Sequence, residues 1–239
     1  MKALEITKHK TNLTNILIDI YKDSLLGSLL GFKGGTAAML FYNLPRFSVD
    51  LDFDLVTDFN DNPKAREDMI SRMTKLLSAK YIIKDQSKKF NTLFWLLSYG
   101  EGLARIKVEI STRENPFNHY DLKSFYGAKI KVLTIQDMIA HKMIALTERS
   151  SIANRDLFDV HYFLGTPYAG EINYDVIKQR TGKTPQEFYT FLLEFVGAIN
   201  PKSVLNGLGE VLDDSQKDWA KAKLVKETLG LITRQIDML

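Results

Sequence analysis

The sequence predicts an α+β fold, in which a mixed half of helices and strands is followed by a helical half. Alternating polar and apolar residues mark short strands between residues 48 and 133, with helical apolar spacing around them. From Thr134 onward the spacing is helical. This order of elements is typical of α+β architecture. We therefore expect two domains, at residues 1–133 and 134–239.

The elements of the first half are predicted from spacing and from breaker residues. Leucines and isoleucines recur at helical intervals over residues 12–30, and Gly31 ends that helix. Further helices are expected over residues 36–44 and 66–80, the latter with Pro63 at its start. Strands are predicted at residues 48–55, 81–84, 92–99, 103–111 and 129–133.

The second half is predicted to contain helices at residues 135–149, 155–164, 185–199 and 216–238. Thr134 is a favourable N-cap for the first of them. The run from Thr181 to Thr184 resembles the end of a P-loop. Ile177 occupies the position where a P-loop requires its first glycine, so this interpretation is rejected.

One predicted strand is strongly acidic on one face. Ser48, Asp50, Asp52 and Asp54 alternate with apolar residues, so all four side chains project to the same side. Three carboxylates on one strand face repel one another, and a cation relieves that repulsion. Oxygen ligands of this kind suit Mg²⁺ or Mn²⁺. The alternative is an acidic edge strand whose charges only prevent aggregation.

Two glycines precede this strand. Gly34 and Gly35 allow backbone N–H groups to approach a phosphate closely, and the predicted helix that follows directs its positive N-terminus to the same place. An ordinary Gly-Gly turn is the simpler reading of the pair. A phosphate cradle within about twenty residues of metal-binding carboxylates nevertheless suggests an enzyme that handles nucleotides.

The order of these residues resembles the first motif of the AbiEii toxin family, whose members have a nucleotidyltransferase fold. The matching residues are Gly34, Gly35 and Thr36, followed by Arg46, Ser48, Asp50 and Asp52. The resemblance implies a nucleotidyltransferase-like mixed sheet with helices at residues 1–133 and an all-helical C-terminal domain. It also implies that Gly34, Gly35, Thr36, Arg46 and Ser48 bind the nucleotide.

The resemblance to nucleotidyltransferase folds implies a third carboxylate on a neighbouring strand. Arg105, Lys107, Glu109 and Ser111 share one face of the strand at residues 103–111. Glu109 is the best candidate for a metal ligand beside Asp50 and Asp52. A cross-strand pair with a lysine or arginine is the alternative.

Two further family motifs lie in the second half. Lys142 has apolar residues three and four positions away on both sides, so it projects from the buried helix face. It is predicted to bind phosphate, with a lysine at the rim of the apolar stripe as the alternative. Arg155, Asp156 and Asp159 match an Arg-Asp-x-x-Asp helix start. An ordinary pair between Arg155 and Asp159 would explain them structurally, but the resemblance favours Asp156 as catalytic with Asp50, Asp52 and Lys142.

Composition narrows the functional classes. The chain has 239 residues, a formal net charge of +3 and no cysteine, which excludes disulfides and thiolate metal sites. No apolar run approaches 18 residues, and the start lacks an apolar signal segment, so we expect a cytoplasmic protein without membrane association.

The predicted function is Mg²⁺- or Mn²⁺-dependent transfer of a nucleotide from a nucleoside triphosphate. The resemblance implies the toxin of an abortive-infection, type IV toxin–antitoxin pair, with RNA such as tRNA as the acceptor. It also implies a cognate antitoxin from a neighbouring gene. Two alternatives remain: a kinase-like phosphotransferase that acts on a protein or small-molecule hydroxyl, and a nucleotide-binding regulator without catalysis.

Overall fold

The computed structural model describes residues 3–57, 59, 62–148 and 154–239. The chain divides into two compact units. The first comprises Met1–Asn43 and Ser48–Leu133, and the second comprises Leu44–Phe47 and Thr134–Leu239. Four residues from the first half of the sequence thus belong to the second unit, an assignment that periodicity alone does not reveal.

The described residues of the first unit form four helices. They are α1 (Ala3–Lys22), α2 (Ser24–Leu29), α3 (Gly34–Phe41) and α4 (Pro63–Ser78). The single helix predicted over residues 12–30 is wrong, because Asp23 interrupts it. The Asp23 carboxylate accepts hydrogen bonds from the backbone N–H groups of Leu25 and Leu26, which makes it the N-cap of a new helix.

A seven-stranded mixed sheet accompanies these helices. Its strands are β1 (Leu30–Lys33), β2 (Leu51–Leu55), β3 (Ile82–Lys89), β4 (Thr92–Ser98), β5 (Arg105–Ser111), β6 (Tyr120–Phe125) and β7 (Ala128–Leu133). Their spatial order is β3-β4-β5-β2-β1-β7-β6. The β2–β5 and β1–β7 pairs are parallel, and the other neighbours are antiparallel. The predicted mixed α+β class is confirmed.

Two strands escaped prediction, and β2 is shorter than expected. Of the four residues of β1, Leu30 was assigned to the predicted helix because it continues the apolar spacing, and Gly31 was interpreted only as the residue that ends that helix. The β6 strand lies at a sheet edge and is exposed or half-buried along its length, so it shows no clear alternation. The residues from Ser48 to Asp50 lie outside the ladder, which begins at Leu51.

The two faces of the sheet differ in chemistry. Phe53 and Trp95 are buried on one face, where Phe53 packs against Tyr21 of α1 with ring centroids 6.5 Å apart. Trp95 Nε1 donates a hydrogen bond to Thr74 Oγ1 of α4 at 3.0 Å. Because side chains alternate along a strand, Asp52 of β2 and Glu109 of β5 face the other way. Helices therefore cover the apolar face, and the carboxylates lie on the opposite one.

The described residues of the second unit form five α-helices. They are α5 (Ile135–Glu148), α6 (Asn154–Leu164), α7 (Tyr174–Thr181), α8 (Pro185–Gly197) and α9 (Asp214–Asp237), with short 3₁₀ turns at Pro167–Gly170, Pro201–Ser203 and Gly209–Val211. Arg149, the predicted end of α5, lies outside the described residues. Capping boxes begin α8 at Thr184 and α9 at Asp213. Phe163, Phe188 and Tyr189 lie in the core.

The segment that resembles a P-loop joins α7 to α8. Gly182 ends α7 with φ of +71°, and the Thr184 side chain caps α8. The glycine and the threonine of this segment are thus accounted for by two helix caps in close succession rather than by a P-loop. None of the helices in the described part of the chain is long and apolar enough to cross a membrane.

Candidate active site

The backbone approaches Asp52 closely where β1 ends and α3 begins. Gly34 has φ of +78°, a conformation that side chains rarely tolerate. A Cβ atom at Gly34 would lie 2.3 Å from Asp52 Oδ2. Lys33 is the N-cap residue of α3, and its side chain forms no capping hydrogen bond with the first turn of that helix. The backbone N–H groups in the first turn of α3, including that of the buried Gly35, thus form the kind of helix N-terminus that binds phosphate.

Asp52 lies at the centre of the polar sheet face. Across the ladders it is the register partner of Lys33 in β1 and of Glu109 in β5. The structure therefore places two of the predicted metal ligands, Asp52 and Glu109, side by side on parallel strands. Glu109 is half-buried.

Asp50, the other predicted ligand, precedes β2 by one residue. Its Oδ1 atom accepts a hydrogen bond from the backbone N–H of Lys107 at 3.2 Å, and its Oδ2 atom is 3.7 Å from Lys107 Nζ. The Asp50 side chain remains 26% exposed. Lys107 thus orients Asp50 on the β5 side of β2 while leaving it accessible to solvent.

These carboxylates fit a divalent cation that is shared with a substrate. Among the residues that the structure describes, no three acidic or histidine side chains are close enough to hold a metal ion by themselves. Mg²⁺ does not require such a cage, because one or two carboxylates commonly hold it together with phosphate oxygens and water. Asp50 and Asp52, beside a helix N-terminus, satisfy that requirement.

Thr36 and Ser48 were predicted to bind the nucleotide, and the structure places them together. Thr36 is fully buried, and its hydroxyl is 2.9 Å from Ser48 Oγ and 2.5 Å from the carbonyl oxygen of Asp50. Its contacts are therefore those of a residue that fixes the approach to β2. Ser48 is half-buried.

His9 holds the same segment from α1, and sequence reasoning gave it no role. Its Nε2 atom donates a hydrogen bond to the carbonyl oxygen of Val49 at 2.9 Å, and Nδ1 is 2.8 Å from Tyr99 Oη. Because a carbonyl oxygen can only accept, Nε2 must carry a proton. The only available signal was a histidine near the apolar face of a helix, which does not reveal its partners.

Asp54, the last carboxylate of the predicted acidic face, has a different environment. It is 1% exposed and accepts hydrogen bonds from Lys33 Nζ at 2.5 Å, Tyr120 Oη at 2.8 Å and Asn118 Nδ2 at 3.1 Å. Three carboxylates that look equivalent in sequence therefore become one buried anchor and two accessible groups.

The second unit contains a buried ion cluster formed by Arg46, Lys142, Asp156 and Asp159. Lys142 Nζ lies 2.8 Å from Asp159 Oδ2 and 3.1 Å from Asp156 Oδ1. Arg46 forms a bidentate pair with Asp159, with Nε and Nη2 at 2.5 and 2.6 Å from the two carboxylate oxygens. Two cations and two anions thus compensate one another.

Burial and charge act in opposite directions on these groups. Burial alone would lower the pKa of Lys142, but the carboxylates of Asp159 and Asp156 outweigh it and raise that pKa. Burial alone would raise the pKa of Asp159, but Lys142 and Arg46 hold the pKa below its usual value. The ionised forms of Lys142 and Asp159 are therefore favoured at neutral pH.

The cluster changes two interpretations of the sequence. Arg46 was predicted to bind nucleotide, but its guanidinium is buried and bonded to Asp159 and to the carbonyl oxygen of Phe47. The structural alternative, a pair between Arg155 and Asp159, is not what the structure contains. Arg155 instead donates to the carbonyl oxygen of Gly207 at 2.6 Å and lies 3.7 Å from Glu210.

Asp156, favoured over Asp159 as the functional carboxylate, contacts Lys142 within this cluster. Asp159 is the residue that joins both cations. No pattern in one sequence indicates that residue 46 pairs with residue 159. The side chain of Lys142 is 13% exposed and that of Arg46 is 4% exposed, so Lys142 is the more accessible cation of the cluster.

Comparisons with known proteins show what this chain is similar to. The family model described as "Nucleotidyl transferase AbiEii toxin, Type IV TA system" matches residues 16–224. No curated protein matched in a search of whole sequences.

Solved structures with a similar fold include proteins from two organisms. JHP933 and a candidate nucleotidyltransferase, both from Helicobacter pylori, are each 18% identical to this chain, with TM-scores of 0.63 and 0.64. Each match covers 100% of this chain and 95% or 97% of the other. An antigenic nucleotidyltransferase-like protein from Paracoccidioides brasiliensis matches 85% of this chain and 92% of its own length, at 15% identity and a TM-score of 0.50. The fold is therefore nucleotidyltransferase-like.

Proposed function

Because the chain belongs to the AbiEii family of nucleotidyl transferase toxins from type IV toxin–antitoxin systems, we propose that it transfers a nucleoside monophosphate from a nucleoside triphosphate to an RNA. The proposed acceptor is tRNA, and the proposed location is the cytoplasm. Family membership implies an antitoxin partner and a nucleotide substrate. We place the antitoxin gene next to the toxin gene.

The observation that carries this proposal is the contact between Gly34 and Asp52. The left-handed backbone at Gly34 brings the start of α3 directly against the Asp52 carboxylate. A helix N-terminus favours phosphate, and the carboxylate beside it favours a cation that phosphate also binds. A nucleoside triphosphate with its metal ion satisfies both groups at once.

In this proposal Asp50 and Asp52 hold Mg²⁺ or Mn²⁺, with Glu109 beside Asp52. The bound ion would polarise the phosphoryl oxygens and neutralise charge that develops on them. The backbone N–H groups of Gly34 and Gly35 and the Ser48 hydroxyl orient the phosphates. Such catalysis depends on positioning and electrostatics rather than on a covalent intermediate.

The ion cluster of the second unit has a divided role in the proposal. Lys142 is the group proposed to bind phosphate, as its remaining exposure allows. Asp156 and Asp159 hold its ammonium charged and in place, and Arg46 positions Asp159 rather than touching the nucleotide. The direct nucleotide contact first predicted for Arg46 is replaced by this positioning role.

Isotopic labelling tests the reaction. The protein is incubated with Mg²⁺, total bacterial RNA and nucleoside triphosphates labelled at the α or the γ phosphorus. We expect α-label in a discrete RNA band, most of it tRNA, and none with Asp52→Ala. Transfer of γ-label alone would establish the phosphotransferase alternative. Transfer of neither label, to RNA or protein, would favour a regulator without catalysis.

Growth provides the biological test. Expression without the antitoxin should slow growth, and Asp52→Ala should restore it. Co-expression of the neighbouring gene should restore growth with the wild-type chain. A toxic Asp52→Ala variant at equal protein level would contradict a toxicity that depends on the proposed active site.

A further inference from the structure

A cavity of about 970 Å³ opens in the first unit at the C-terminal end of β2. Asp54, the β3–β4 turn, the start of α4 and the segment after β5 line it. Its volume is at the upper end of the range for small-molecule pockets. None of the residues proposed above to bind nucleotide or metal lines this cavity, so it needs a separate explanation.

Asp54 makes the cavity wall rigid. Its buried carboxylate accepts hydrogen bonds from Asn118 and Tyr120, and Asn115 Nδ2 is 3.5 Å away. Lys33 pairs with the same carboxylate from β1. These contacts tie the segment between β5 and β6 to the centre of the sheet, so this side of the cavity is formed before any ligand arrives.

The β3–β4 turn places an aromatic ring at this cavity. Phe90 lines it and is 96% exposed. The turn is fixed to the segment after β5, because Thr112 N donates to the carbonyl oxygen of Asn91 at 3.0 Å. A phenyl ring held in water on an anchored turn loses hydrophobic stabilisation. It offers both of its faces to a planar ligand.

Two guanidinium groups line the same cavity. Arg66 lies in the first turn of α4, and Arg113 follows β5. Neither forms an ion pair with a carboxylate among the described residues. Lys33 pairs with the buried Asp54, and Glu114 is the other acidic residue in the described part of the lining, so that part contains two arginines and one further carboxylate. An exposed aromatic ring, together with arginines that have no carboxylate partner in the described part of the chain, is the combination that binds single-stranded nucleic acid.

The position of the cavity along β2 suits the acceptor of a transfer reaction. Gly34 and Thr36 adjoin β2 at Asp52 and before it, whereas the cavity begins at Asp54. Asp54 lies about 7 Å beyond Asp52, at about 3.3 Å per strand residue. The attacking and leaving oxygens of a phosphoryl transfer lie roughly in line. Along β2 the proposed triphosphate cradle therefore lies at Asp52 and the cavity lies two residues further on, so an acceptor in the cavity would approach the reacting phosphorus from the side of Asp54.

We propose that this cavity binds the single-stranded end of the RNA acceptor. Phe90 stacks on a base, and Arg66 and Arg113 contact the backbone phosphates. The identity of the occupant as an acceptor rests on the nucleotidyltransferase function proposed above, whereas its identity as single-stranded RNA rests on the lining itself. The RNA hydroxyl would extend from the cavity toward Asp52, where it would lose its proton to solvent and its oxygen would form a bond to the α-phosphorus of the nucleoside triphosphate. The bond from that phosphorus to the oxygen that bridges to the β-phosphorus would break, and pyrophosphate would leave.

Binding of RNA, measured without nucleotide or metal, tests the site separately from catalysis. A fluorescein-labelled single-stranded RNA octamer is titrated by anisotropy at several KCl concentrations. Phe90→Ala should weaken binding about tenfold without changing the salt dependence, because stacking is uncharged. Arg66→Gln and Arg113→Gln should each reduce the slope of log K against log salt by about 0.7, the value for one single-strand phosphate contact.

Matched controls lie outside the cavity. Tyr126→Ala removes an exposed aromatic side chain from the β6–β7 turn, and Arg72→Gln removes a guanidinium of α4 that pairs with Asp23. Both should bind RNA like the wild type. Equal RNA affinity in the cavity variants and the controls overturns the proposal. So does a fluorescent nucleoside triphosphate or a peptide whose binding, rather than that of RNA, depends on Phe90, Arg66 and Arg113.

Label transfer by the same variants separates the two proposals. The cavity variants should raise KM for RNA and leave KM for the nucleotide unchanged. If the wild type transfers no label but RNA binding depends on the cavity residues, the proposed reaction fails and the binding site stands. If label is transferred and RNA affinity is indifferent to those residues, the binding site fails and the reaction stands.

Discussion

Asp52 and Asp159 are the same type of residue in opposite surroundings. Asp52 is half-buried on an open sheet face, beside the backbone of Gly34 and the carboxylate-bearing strand β5. Asp159 is fully buried, and three nitrogen atoms of Arg46 and Lys142 contact its two oxygens. An accessible carboxylate can take a cation from solution, whereas an enclosed one is committed to the protein's own cations. Burial rather than residue type thus separates a candidate metal ligand from a structural charge.

The first prediction concerns the open side of this comparison and has the largest expected effect. Asp52→Ala should lower the rate of label transfer at least about a thousandfold, because a bound metal ion contributes several kcal/mol to transition-state stabilisation. Its free energy of unfolding should change by less than about 1 kcal/mol, since Asp52 is half-buried and Glu109 is a like charge on the adjacent strand. Initial rates and urea unfolding measure the two quantities. A large loss of stability would show that Asp52, like Asp159, is a structural charge, which would contradict the difference between the two residues.

The enclosed side should respond in the opposite way. Asp159→Asn leaves Arg46 and Lys142 buried without their shared carboxylate, so the free energy of unfolding should fall by about 3 kcal/mol or more. Asp156→Asn is the matched control, because Asp156 contacts Lys142, whereas Asp159 contacts both Lys142 and Arg46. It should cost less than half as much in the same urea titration. Equal losses from the two variants would show that Asp159 is not the central residue of the cluster.

A third substitution tests how closely the backbone must approach Asp52. Gly34→Ala combines an unfavourable positive φ with a collision against Asp52 Oδ2. Gly127 has φ of +80° with nothing within 4 Å, so Gly127→Ala isolates the φ penalty. We expect destabilisation of about 1 kcal/mol for Gly127→Ala and about 2 kcal/mol for Gly34→Ala. Thermal unfolding provides both values, and identical values would show that Asp52 moves aside without cost.

The smallest expected effect is the pH dependence of the ion cluster. The folded pKa of Asp159 is lowered, so its contribution is present above the unfolded value of 3.8 and is lost as pH falls below it. The folded pKa of Lys142 is raised, so its contribution is present below 10.5 and is lost only as pH rises through the higher folded value. The stability difference between wild type and Asp159→Asn should therefore be constant from about pH 5 to 9 and smaller at pH 3. A difference that instead peaks at pH 3 would contradict these directions.

Much of the acidic strand could be predicted, because its chemistry is local in sequence. Alternation from Ser48 to Leu55 separates carboxylates from apolar residues, and Gly34-Gly35 marks a close backbone approach. Periodicity could not show which residues of neighbouring strands contact each of these carboxylates. Asp54 becomes a buried anchor only because Lys33 and Tyr120 reach it from β1 and β6, neither of which was predicted.

The ion cluster was predictable only in part, for a related reason. The apolar neighbours of Lys142 correctly indicated a lysine on a buried helix face. Asp156 was preferred to Asp159 because of the family resemblance, and a local helix pair between Asp159 and Arg155 was the structural alternative. The structure pairs Asp159 with Arg46 instead. A partner more than a hundred positions away leaves no trace in the spacing of a single sequence.

That separation has a consequence for synthesis on the ribosome. Arg46 and Asp159 are 113 positions apart, and Arg46 leaves the ribosome first. At about 5–20 residues per second, translation needs roughly 6–23 s to supply the carboxylate after the guanidinium has been made. During that interval the nascent chain can complete the strands of β1 to β7, but it must keep the Arg46 guanidinium in water. The ion pair between Arg46 and Asp159 can therefore form only late in translation, when most of the toxin has already been made.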